Sequence, residues 1–201
     1  MTPKRRGPGS RRPRRGKRGE RKRLIVSSIA DRKESPLIAE LARRLEYEQD
    51  KSGKLKPEFA AWIGMSGSQY RYVRAREANP TIEALYRMAS ALNLSVYELL
   101  EGKPLGERRN LDRWQMGKAF GEVFSAKMEA SGMKREEFIK VVNVSLAQYH
   151  IVVRGLVNPT ILTAVEIARR LDLTVWQLLG VEPWDGPAKA ADETAAARAV
   201  G

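Results

Sequence analysis

Residues 79–100 read NPTIEALYRMASALNLSVYELL, and residues 158–179 read NPTILTAVEIARRLDLTVWQLL. The second stretch begins 79 residues after the first and needs no gap to align with it. The same offset continues backwards: Gly53 meets Gly132, Phe59 meets Phe138, Ser66 meets Ser145, Gln69 meets Gln148, Tyr70 meets Tyr149 and Val73 meets Val152. One unit of residues 37–100 is therefore used twice, and a chain of 201 residues that repeats itself reads as two small domains.

The apolar spacing in both copies is helical, with no alternation of period two, so the fold class is all-α. Each unit reads as five helices. Ser35 caps a first helix with Pro36 at its first position, and Leu37, Leu41 and Leu45 form its apolar face before Gly53. Pro57 opens a short second helix carrying Phe59, Ala60 and Ile63, which Gly64 ends. Ser66-x-x-Gln69 is a capping box for a third helix, with Tyr70 and Val73 inward. Thr81 caps the fourth, whose stripe is Ile82, Leu85, Met88, Ala89 and Leu92, and Ser95-x-x-Glu98 opens the fifth. Ser145-x-x-Gln148 and Thr174-x-x-Gln177 repeat two of these caps in the second copy.

Composition narrows the chemistry. There is no cysteine, and His150 is the one histidine, so neither a disulfide nor a zinc site is expected, and no cofactor or metal is implied. No apolar run approaches the length of a membrane span and the N-terminus lacks an apolar signal core, so the expected location is the cytoplasm, away from membranes. A phosphate-binding glycine loop, a nucleophile elbow and a His–carboxylate pair are all missing, and the expectation is a binding protein rather than an enzyme.

The formal charge of +13 is concentrated at one end. Up to Arg23 there are twelve basic residues against Glu20 alone, which places +11 there, Arg11, Arg12, Arg14, Arg15, Lys17 and Arg18 forming the densest part. Pro and Gly interrupt the segment and little of it is apolar, so residues 1–34 read as a basic, mostly disordered arm. Such an arm either solubilises the chain or binds a polyanion by releasing its counterions, and nucleic acid is the polyanion that fits a cytoplasmic protein. Residues 24–30, LIVSSIA, fit either a strand or a helical turn docked on the first unit.

Residues 56–73, KPEFAAWIGMSGSQYRYV, followed by RAREANPT, resemble the lambda-repressor-like (Cro/repressor) helix-turn-helix family. The features that carry the resemblance are Ala60 in the second helix, Gly64 at the turn, Ser66 opening the next helix and the Asn-Pro-Thr beyond it. It implies two tandem five-helix domains, 35–102 and 111–182, joined by a linker of residues 103–110 and followed by an Ala-rich tail, 183–201. It also implies that the helix opening at Ser66 enters the major groove of double-stranded DNA. Gly67, Ser68, Gln69, Arg71 and Tyr72 then face bases, with Gln69 suited to adenine and Arg71 to guanine. Lys56, Ser66, Arg76 and Asn79 take phosphate positions. A DNA-binding transcriptional regulator, by default a repressor associated with the nucleoid, is the function so implied.

The second copy departs from this pattern where bases would be read. Ile139 stands in place of Ala60 and Asn143 in place of Gly64, although Asn also accepts a left-handed turn. The exposed places read Leu146, Ala147, His150 and Ile151, which suit little beyond a thymine methyl, while Arg135 and Arg154 leave room for phosphate contact. Such an apolar surface suits packing against the first copy, a homodimer partner or another protein. Trp62 and its counterpart Val141 have two readings, core or a docking face shared with Leu146 and Ile151. The connection EGKPLGERRN, residues 101–110, reaches about 33 Å when extended, close to the ~34 Å between half-sites on one DNA face, so an internal pseudo-dimer is permitted. Two other functions remain open: an antitoxin-like or polymerase-associated interaction adaptor, and a non-specific DNA or RNA binder acting through the arm.

Deleting residues 2–23 should weaken binding to all duplexes alike and flatten its salt dependence, by about 0.9 in the log–log slope for each phosphate no longer neutralised. A salt titration of full-length and truncated protein on one duplex checks this, and equal slopes would show that the arm does not touch DNA.

Overall fold

The computed structural model describes residues 28–184. The expectations for the basic arm up to residue 27 and for the Ala-rich tail from residue 185 lie outside the described residues. Residues 28–34 form a capped helix, α1 (Ile29–Glu34), in which Ser28 Oγ accepts from the Asp31 N–H at 3.1 Å and Asp31 Oδ2 accepts from the Ser28 N–H at 2.6 Å. This reciprocal cap satisfies two amide donors and orders the turn despite its polar composition.

Two five-helix units follow. The first contains α2 (Pro36–Ser52), α3 (Lys56–Trp62), α4 (Gly67–Arg74), α5 (Ile82–Ala91) and α6 (Val96–Glu101); the second contains α7 (Arg113–Ser131), α8 (Arg135–Val141), α9 (Leu146–Val153), α10 (Ile161–Arg170) and α11 (Val175–Leu178). The limits of α3, α4 and α5 recur at the 79-residue offset in α8, α9 and α10. Ser66 and Ser145 close capping boxes with Gln69 and Gln148, as do Ser95 with Glu98 and Thr174 with Gln177. The turn between α3 and α4 needs a left-handed residue, supplied by Gly64 at φ 75°; Asn143 takes the same place at φ 54°.

α2 packs on α4 and α6, and α3 packs on α4, around Leu41, Leu45, Phe59, Ile63, Leu85 and Leu99. In the second unit α7 packs on α9 and α11 around Phe120, Phe124, Phe138, Val142 and Ile167. The two cores are continuous with one another. Gly117 and Gly121 bring α7 against the end of α9, for a Cβ at Gly121 would lie 2.6 Å from the Val152 carbonyl oxygen and one at Gly117 2.7 Å from that of Gly155. Ile38 and Ala42 hold the corresponding places on α2. Sequence reading did not anticipate this closer approach.

The repeated Asn-Pro-Thr-Ile segments meet each other. Thr81 and Thr160 form an antiparallel bridge, in which the Ile82 N–H donates to the Pro159 carbonyl at 3.0 Å and the Ile161 N–H to the Pro80 carbonyl at 2.9 Å. The asparagines answer each other in the same way, Asn79 Oδ1 accepting from the Leu162 N–H at 3.3 Å and Asn158 Oδ1 from the Glu83 N–H at 3.1 Å. At a second place Tyr97 meets Trp176 edge to face, 5.0 Å between ring centroids, and the indole N–H of Trp176 donates to Glu101 at 2.7 Å. Arg113 pairs with Glu83 across the same junction at 2.6 Å. The connecting segment folds back instead of stretching: the Arg109 N–H donates to the Val181 carbonyl, and Arg108 pairs with Glu182 at 2.9 Å. Trp184 closes the described chain half-buried against the core, with Lys127 Nζ 5.7 Å from its ring. No helix among the described residues is long and apolar enough to cross a membrane.

Gly121→Ala should destabilise the protein by about 1–3 kcal/mol, because the contact is with backbone that cannot rotate aside and this exceeds the helix propensity gained. Urea denaturation followed by circular dichroism checks it; unchanged or raised stability would show that α7 and α9 separate at little cost.

Candidate functional site

α4 divides cleanly into two faces. Tyr70 and Val73 are buried against α2 and α3, with the Tyr70 hydroxyl 3.3 Å from Gln49 Oε1, and that burial pushes the phenol above its usual range. Gly67, Ser68, Gln69, Arg71 and Tyr72 are all exposed on the other face. The eight residues of α4 include no Asp or Glu, and its N-terminus is held by the Ser66 cap. A row of hydroxyls, an amide and a guanidinium on a helix without carboxylates suits a ligand rich in acceptors and negative charge.

Individual partners refine the roles expected from sequence. Gln69 Oε1 accepts the Ser66 N–H at 2.9 Å, so the cap already occupies one acceptor site and leaves the amide nitrogen as the outward donor. The pairing with adenine expected of Gln69 would therefore compete with this cap for Oε1. Arg71 makes no ion pair among the described residues, and its guanidinium lies 5.3 Å from the Tyr72 ring centroid. Arg74 is different, pairing with Glu46 at 2.8 Å and sitting over Tyr70, which makes it a strut of the fold. Lys56 is exposed at the first position of α3, and Arg76 is exposed in a left-handed turn, φ 58°, just after α4. Asn79 needs correction as a phosphate contact: its side chain donates to Thr160 Oγ1 at 2.9 Å and accepts from Leu162, so it is engaged in the junction.

A groove of about 580 Å³ runs beside α4. Gln69 and Tyr72 form one wall, Arg87 of α5 lies on another, and Ile29 and Arg32 of α1 close it. Arg32 is moored there by donation from Nη1 to the Glu77 carbonyl at 2.7 Å, and Lys33 pairs with Glu77 at 3.2 Å. α1 thus brings Ile29 and Arg32, close to the start of the described residues, to the rim of the groove. Sequence reading missed Arg32 and Arg87; the signal within reach was Ser28-x-x-Asp31, a capping pattern that marks a helix.

On the second unit, Leu146 and Ile151 of α9 and Val141 of α8 are between 45% and 50% exposed, as is Trp62 on α3. These residues do not form the junction between units, which corrects the docking face they suggested between the two copies. Trp62 instead rests edge to face on Phe59 with Lys54 Nζ 5.5 Å from its ring, and the buried-core reading does not hold for it either. His150 is exposed with its ring against Tyr149, Arg154 is exposed, and Arg135 lies 3.0 Å from Glu136. No grouping of three or more His, Asp or Glu suited to a metal occurs among the described residues. No family model, curated protein or solved structure matches the chain.

Asn79→Ala should lower stability by about 1–2 kcal/mol, since a half-buried amide at Leu162 loses its acceptor. A residue placed only for phosphate contact would leave the melting temperature unchanged, so thermal denaturation without any ligand separates the two roles.

Proposed function

We propose that the chain is a helix-turn-helix DNA-binding regulator of transcription that places α4 in the major groove. The observation that supports this most directly is the outer face of α4, where Ser68, Gln69, Arg71 and Tyr72 stand together on a capped helix without an acidic residue. A major groove offers acceptors at guanine N7 and O6 and at adenine N7, and it admits one helix. Arg71, with no carboxylate to hold it, is available for a bidentate contact to guanine. The Tyr72 ring lies 5.3 Å from the Arg71 guanidinium and contacts the same groove, while Ser68 and the Gln69 amide read neighbouring edges.

Phosphate contacts fall to groups that flank the helix. Lys56 and the first amides of α3 serve one strand, and Arg76 serves the other side of the turn. The basic residues up to Arg23 precede α1 in sequence, and on this reading they contact phosphates of the same duplex, adding affinity without direct sequence information. Binding of this kind represses transcription by occluding a promoter, and it puts the protein where the DNA is. A second reading is supported by the apolar α9: an adaptor that docks on another protein through the second unit, with DNA binding subordinate.

Arg71→Ala should weaken binding to the selected sequence by about 1–3 kcal/mol and relax preference at one base position. Ser68→Ala and Tyr72→Ala should shift neighbouring positions. Selection from a random duplex pool, repeated with each variant at fixed salt, gives the answer, and identical preferences for all variants and the parent protein would overturn the assignment of α4.

A further inference from the structure

The junction contacts have a property that no arbitrary packing of two domains would show. Thr81 meets Thr160, and Tyr97 meets Trp176, each pair separated by the same 79-residue offset that relates the two units. A residue that touches its own equivalent lies on a two-fold axis. Two such places define the line of that axis. The bonds around it are reciprocal as well, Ile82 to Pro159 matched by Ile161 to Pro80, and Glu83 to Asn158 matched by Leu162 to Asn79. Within one chain, the two units are thus arranged as a symmetric dimer would be.

A two-fold rotation leaves the axial component of every direction unchanged. The outer faces of α4 and α9, which occupy equivalent places, therefore share one axial component of direction, so neither can point up the axis while the other points down it. Duplex DNA has two-fold axes of its own, and a protein with this symmetry presents equivalent helices to half-sites about one turn apart. The cation at the first position of α3, Lys56, has its equivalent in Arg135 at the first position of α8. The groove-facing chemistry is what differs, with Ser68, Arg71 and Tyr72 replaced by Ala147, His150 and Ile151. Exposed Leu146 and Ile151 on α9 match the one apolar group a major groove carries, the thymine methyl.

We propose that α9 is a second DNA-contacting helix, and that a single chain binds an asymmetric bipartite duplex whose halves are read by unlike chemistry. One half carries guanine for α4, and the other carries thymine methyls packed against Leu146 and Ile151. This rests on the reading of α4 as a major-groove helix. It accounts for the two features of the second unit that otherwise conflict: a retained frame and a reading face without charged groups.

The test uses the full-length protein. Selection from random duplexes should return two blocks about 10 base pairs apart, one of which loses its guanine preference with Arg71→Ala. Thymines in the other block are then replaced by deoxyuridine, which removes the methyl and leaves the pairing intact. Each replacement that matters should weaken binding about fourfold, and Ile151→Ser, at an exposed site that tolerates it, should abolish this sensitivity while circular dichroism remains unchanged. Sedimentation should show one chain per duplex. A single guanine-bearing block with no methyl dependence would overturn the proposal for α9 and leave α4 standing. Two chains per duplex, reduced to one by Ile151→Ser, would overturn it in favour of a protein interface at α9. An absence of any base preference would overturn both.

Discussion

Two peptide hydrogen bonds, from Ile82 to Pro159 and from Ile161 to Pro80, govern how the halves of this chain meet. Each is worth about 0.5–1.5 kcal/mol net, too little alone to hold two domains. Their effect is geometric. Proline fixes its own φ and keeps the residue before it extended, so Asn79-Pro80 and Asn158-Pro159 arrive at the junction as short straight segments with carbonyls directed outward. Antiparallel pairing of two such segments admits one register. Burial of Ile82 and Ile161 beside the bridge, with the Tyr97–Trp176 contact farther along, adds apolar and aromatic contact to that register.

Both α4 and α9 are positioned by that junction. α4 and α9 each end a few residues before their strand of the bridge, so the two helices are held by short tethers to one fixed line. The connection between units is not stretched between distant lobes but folds against Val181 and Glu182. Asn79 shows the consequence for a single residue. Where a lone unit would leave its amide for solvent or phosphate, the presence of a second unit directs it to Thr160 and Leu162. Duplication thus changes the work of residues whose identity did not change.

The two units kept what folding requires and diverged where folding is indifferent. Capping pairs, left-handed turn residues and buried aromatics recur at the common offset, because each satisfies backbone donors or fills core volume that the fold cannot leave open. The outer faces of α4 and α9 carry no such obligation and hold opposite chemistry. Gly117 and Gly121 are the exception inside the fold, for the second unit draws α7 against α9 more closely than Ile38 and Ala42 would allow at the same places. That closer approach alters the seat of α9 and not its cap.

The sequence by itself determined the all-helical class, the repeat and its offset, and the starts of α2, α4, α5, α6, α9 and α11, because caps are local: Ser66 and Gln69 satisfy each other within one turn. It also determined which side of α4 faces out, since Tyr70 and Val73 at helical spacing leave Ser68, Gln69, Arg71 and Tyr72 no other direction. What it left open depended on contacts between residues far apart in the chain. The pairing of Thr81 with Thr160, the engagement of Asn79, the exposure of Trp62 and the closing of a groove by Arg32 each join segments that no local pattern relates. A cap is settled within four residues, whereas a symmetry axis exists only once two units have folded and met, and so only the tertiary structure decided it.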